Sequence, residues 1–110
     1  MERITFEVEG SKGDKYDVAF EISGIYANAS CSCAAGAKKQ YCNHRFALLD
    51  GDVSRLLSGN TADVVRLKSL IEGTDLKTAY DRVLQAESIL TGAKQALDAA
   101  RKTLTRAMYR

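Results

Sequence analysis

The chain has 110 residues, 45% of them hydrophobic and 27% charged, with 16 basic against 14 acidic side chains and a formal charge of +2. That length allows one domain, or a small domain with an extension, and no apolar run approaches the ~18 residues of a membrane span. So small a net charge is not the composition of a strongly basic nucleic-acid binder, and the opening Met1-Glu2-Arg3-Ile4-Thr5 lacks the apolar stretch of a signal peptide.

The first thirty residues read as strands. Ile4, Phe6 and Val8 alternate with Thr5, Glu7 and Glu9, a period of two. The turn that follows, Gly10-Ser11-Lys12-Gly13-Asp14, is rich in residues that tolerate positive φ. Tyr16, Val18 and Phe20 resume the alternation, Ser23-Gly24 marks a second turn, and Ile25 to Ser30 form a third strand leading to Cys31. A three-stranded antiparallel meander of this size buries little core, and domains of about sixty residues often need a metal staple.

The chain's three cysteines and its one histidine fall together, as Cys31-Ser32-Cys33 and Cys42-Asn43-His44. Residues i and i+2 of an extended segment face the same way, so Cys31 and Cys33 can approach one ion from a strand end or a tight turn. On a helix, i and i+2 lie roughly 200° apart, so Cys42 and His44 cannot both ligate from a helix interior. Cys42 is therefore expected just before a helix and His44 in its first turn, with Asn43 near the N-cap. Ala34 to Tyr41 is expected to be a loop of small residues that turns the chain back.

Three thiolates and one imidazole are the donor set of a closed tetrahedral zinc site, with no open position for water or substrate. Other readings of the cluster are a redox pair or disulfide, which leaves an odd cysteine, an iron–sulfur cluster, and buried cysteine as a small hydrophobe. Zinc, one structural ion on Cys31, Cys33, Cys42 and His44, fits the donors best. The motif uses every cysteine and leaves none for disulfides, which suits the reducing cytoplasm.

The order C-x-C, short loop, C-x-H and an apolar helix start at Arg45-Phe46-Ala47-Leu48-Leu49 resembles the SWIM zinc finger over roughly residues 15–50. The resemblance implies a β-β-α arrangement around one ion, with the two pairs as ligands, and a DNA-binding or protein-interaction role. The expected fold class is thus α+β: a small N-terminal antiparallel meander with a zinc-stapled β-β-α finger, then short helices and a long C-terminal helix. Residues 1–59 would be the finger domain and residues 60–110 a helical hairpin or coiled-coil region.

Beyond the motif the punctuation is helical. Gly51 ends a helix over 44–50 as a C′ glycine does, 52–58 is expected to add a turn or two of helix before Gly59, and Asn60-Thr61 caps a helix over 62–72 closed by Gly73. Thr74-Asp75 caps the last helix, and the chain has no proline to interrupt it. In that helix Leu76, Val83, Leu90, Leu97 and Leu104 recur every seven residues, and Ala79, Ala86, Ala93, Ala100 and Ala107 follow three residues after each. This is an unbroken a/d heptad on a rod of ~52 Å at about 1.5 Å per residue.

A hairpin with 62–72 would cover about a third of that rod, since eleven helical residues span ~16 Å. The remainder, including Leu90, Ala93, Leu97, Ala100, Leu104 and Ala107, is expected to find a second copy through 75–109. Its orientation stays open. Residues 94–110 also carry five basic side chains against Asp98, a local +4 that leaves −2 for the rest. Such a basic helix end complements the helix dipole and could equally touch phosphate.

Two functional expectations follow. The first is a non-enzymatic finger protein that binds nucleic acid or a nucleoprotein complex, with Lys38, Lys39, Tyr41 and Arg45 flanking the ligand pairs as contacts. The second is a protein–protein adaptor that uses the heptad helix. With no second histidine and no Gly-rich phosphate loop, the sequence carries no recognisable catalytic arrangement.

Overall fold

A computed structural model describes residues 1–109 of the chain. Three antiparallel strands, β1 (Glu2–Glu9), β2 (Lys15–Ser23) and β3 (Tyr26–Cys31), form one sheet in sequence order. Helices α1 (Ala34–Ala37), α2 (Asn43–Leu49), α3 (Thr61–Leu70) and α4 (Asp75–Met108) follow, so the class is α+β. No described helix is long and apolar enough to cross a membrane.

The alternation in the first two strands sets the sheet's faces. Ile4, Phe6 and Val8 of β1 and Val18, Phe20 and Ile22 of β2 are buried, while Thr5, Asp17 and Ser23 are exposed. Ile4 pairs with Phe20 and Phe6 with Val18. The Phe6 and Phe20 rings meet edge to face at 6.1 Å, a favoured arrangement for aromatic pairs. Leu48 and Leu49 of α2 and Val64, Leu67 and Ile71 of the α3 region complete the core. The compact unit therefore runs from Met1 to Thr78, past the expected boundary at residue 59, because α3 packs on α2.

Residues 52–58 do not add a helical turn. Leu56 bridges Val8, the Glu9 N–H donates to Arg55 O at 2.8 Å and the Leu57 N–H donates to Glu7 O at 2.7 Å. The outer edge of β1 offers unpaired backbone groups, and a segment that satisfies them is favoured over an isolated turn of helix. Gly51 takes φ +82°, the left-handed C′ position just beyond α2.

The start of α4 is tied to β3. The Asp75 N–H donates to Ile25 O at 2.9 Å, and Asp75 Oδ1 accepts from the Ala27 N–H at 3.1 Å. Thr74, almost fully buried, accepts from the Lys77 N–H at 3.3 Å and so caps the helix. Ala79–Arg110 is a second compact unit, and its described part is α4 from Ala79 onward and the residue after it; α4 has no buried residue.

Candidate metal centre

Register delivers the first ligand. Cys31 ends β3 opposite Val18, on the same face as buried Ala27. The chain then turns. The Ser32 N–H donates to Asp17 O at 3.0 Å, the Asp17 N–H donates to Ser32 Oγ at 2.9 Å, and Cys33 becomes the N-cap of α1. Its Sγ accepts from the Gly36 N–H at 3.3 Å, so the ligand itself occupies the place of a capping oxygen. The stretch Ala34 to Tyr41, expected as loop, thus opens with a helical turn. Gly36 is required there: a Cβ would lie 2.2 Å from Cys31 O.

The second pair lies as helix geometry demands. Cys42, in extended backbone, is the N-cap of α2, and His44 is in its first turn; Asn43 is the first helical residue rather than the cap. The donor atoms of Cys31, Cys33, Cys42 and His44 all lie within 4.8 Å of one another. Cys31 Sγ is 3.7 Å from His44 Nδ1. For metal–sulfur bonds of about 2.3 Å, tetrahedral donors stand roughly 3.5–3.8 Å apart, so a small contraction of this cage holds one ion. The three cysteines are buried and unbridged. The Tyr16 ring packs against the His44 imidazole at a tilt of 45°, centroids 4.9 Å apart.

Arg45 belongs to the centre. Its Nε donates to Cys42 Sγ at 3.1 Å and its Nη1 to Ala29 O at 3.0 Å, while Nη2 donates to Gln40 O. One guanidinium thus joins β3, the loop before α2 and a ligand sulfur. Three thiolates around a divalent ion carry −1, and the adjacent Arg45 neutralises it. Sequence spacing alone set Arg45 among phosphate contacts, yet Cys42 and Arg45 are three apart at a helix start, which puts them on one face. Of the other flanking residues, Lys38 and Lys39 are exposed. Tyr41 is 61% exposed, and its ring lies 5.8 Å from that of Phe46.

Without an ion the thiols differ. Burial pushes Cys31 up to about 12. Burial also opposes ionisation of Cys33, but the Gly36 N–H, together with hydrogen bonds from His44, Cys31 and Cys42, outweighs it and brings that thiol down to about 6. A groove of about 630 Å³ has Cys33, Cys42 and His44 in its wall, so one side of the cluster is reachable from solvent. Comparison with protein-family models, curated proteins and solved structures returned no match for the chain. The assignment of the centre stands on donor chemistry and geometry.

Two outcomes are expected. Arg45→Met weakens binding of Zn²⁺ by about 10–100-fold, the usual cost of losing a group that orients a ligand; Arg45→Lys recovers only part, because an ammonium lacks the fork. Competition with a chromophoric chelator measures both, and equal affinities would remove Arg45 from the centre. The second concerns pH. Binding must displace the Cys31 proton at any pH below about 12, and the Cys33 proton as well once pH falls below about 6. Affinity should therefore drop at least about tenfold per pH unit on acidification to pH ~6, and about a hundredfold or more per unit beneath it. A pH-independent affinity contradicts this.

Proposed function

We propose that the chain is a non-enzymatic, zinc-binding module resembling the SWIM finger, which engages nucleic acid or a nucleoprotein complex and self-associates through α4. The observation that carries the reading is the convergence of Cys31, Cys33, Cys42 and His44 within 4.8 Å. Three sulfurs and one nitrogen match the preference of zinc, and four protein donors leave no open position for a reacting water. The ion would lock the end of β3 to the start of α2, a structural task.

The contact surface in this reading is the loop between α1 and α2. Lys38, Lys39 and Tyr41 are all exposed there. Lys39 has φ +56°, a left-handed conformation that glycine meets with less strain, and a lysine at such a position supports a use for its side chain. Two cations and an aromatic ring are a means of gripping a phosphate backbone with a stacked base. Arg45, engaged at the ligand sulfur, drops out of that set. A second reading, a protein–protein adaptor, is favoured by one observation: Ile89, Leu90, Leu97 and Leu104 of α4 are all at least half exposed.

Fluorescence anisotropy against duplex DNA, single-stranded DNA and RNA at low salt tests the first reading on the zinc-loaded protein. Binding should weaken with salt, and Lys38→Glu/Lys39→Glu should lower it about tenfold or more and flatten the salt slope by about 2, with metal content unchanged. Absence of binding to every probe at low salt contradicts it and leaves the adaptor.

A further inference from the structure

The geometry points to α4 pairing with α4 of a second copy of this chain, antiparallel, about a two-fold axis that passes between Thr91 and Gly92. This rests on the self-association proposed above and adds its orientation and register. Every described residue of α4 from Asp81 onward is exposed. Its seam carries a large side chain at each a position and alanine at each d position without exception. That regularity separates the two orientations.

In a parallel pair, like positions meet. Leu90 would face Leu90 and Ala93 would face Ala93, so wide and thin layers alternate. Two straight helices cannot close on both, and each alanine layer keeps a void. In an antiparallel pair, a positions meet d positions. With the axis at Thr91–Gly92, Leu90 meets the partner's Ala93, Val83 meets the partner's Ala100, and Ala79 meets the partner's Leu104. The two-fold axis repeats each contact. Every layer then holds one large and one small side chain, and the helices approach at a single close distance, near the ~8 Å lower end of helix spacings.

The flanks agree with the same register, and they give an observation independent of the seam. Reversal of direction sets one e flank against the other. Glu87 lies beside the partner's Lys94, and the axis generates the reciprocal pair. On the g flank Ile89, 73% exposed in the single chain, lies beside the partner's Ala96. A parallel pair would instead set Ile89 beside the partner's Lys94 and Arg82 beside the partner's Glu87. Opposite charges therefore meet in either orientation, and the apolar Ile89 flank and the large–small seam are what favour the antiparallel one. The Asp98–Lys102 ion pair, at 3.2 Å, stays on the outer face at b and f positions and is not displaced. Charge complementarity thus suits a second copy of this chain as the occupant, and size complementarity along the seam sets its direction.

Sedimentation equilibrium of the full zinc-loaded chain, wild type and charge-swapped, tests this. The wild type should be a dimer. Glu87→Lys alone and Lys94→Glu alone should each raise the dimer Kd about tenfold, since each turns two attractions into two repulsions, and Glu87→Lys/Lys94→Glu should restore it. A dimer that Glu87→Lys weakens and the double change does not restore is parallel, as Arg82 would then meet the changed residue, and it overturns the antiparallel register while self-association stands. Single changes without effect on a stable dimer also overturn the register. A monomer at tens of micromolar overturns both.

Discussion

Four soft donors crowd one point at the seam between sheet and helices, and the local geometry of this small unit is arranged around it. Three buried thiols gather little from one another. They repel if ionised, and if neutral they hydrogen-bond weakly. A divalent ion held by the four donors would convert that crowding into attraction and would tie the end of β3, the start of α1 and the start of α2 to one atom. Gly36 allows α1 to lie against the Cys31 carbonyl, Tyr16 packs against the imidazole, and Arg45 donates to the Cys42 sulfur while it bridges β3 to α2. Each is explicable as support for the cage.

Much of this could be read from the order of residues. Period-two alternation marked the inward faces of β1 and β2, since a sheet with one buried face leaves that trace directly. Residues two apart cannot share a helix face, which puts Cys42 before α2 and His44 in its first turn, as found. Gly51 marked the end of α2 because a left-handed residue closes a helix cheaply only as glycine, whereas α3 ends at Leu70 with Ile71 as its C-cap, before Gly73.

Other features depend on partners distant in sequence. The path of 52–58 is set by the open edge of β1, some fifty residues earlier, so local propensity pointed to helix where edge pairing prevailed. The role of Arg45 needs Ala29 and Gln40 brought beside Cys42. Residues 62–72 carried an apolar face that suited a hairpin with the last helix, but α2 is the partner in the core. The heptad of α4 was plain in the sequence, and the structure adds that its seam residues from Ala79 onward are exposed. The two parts of the molecule thus differ in how much apolar surface they bury. The Met1–Thr78 unit has a small core and a four-donor cluster able to hold an ion, whereas the α4 seam is suited to another helix.

The most direct measurement is a thermal melt of the Met1–Thr78 region within the full chain, followed by sheet-specific NMR signals before and after verified removal of zinc. Because metal binding and folding share one free energy in such a centre, loss of the ion should abolish the cooperative sheet transition or lower its midpoint by about 20 °C or more. Helical signal from α4 should outlast it. Superimposable melts with and without the ion would contradict the claim that the Cys31–Cys33–Cys42–His44 centre holds this fold together.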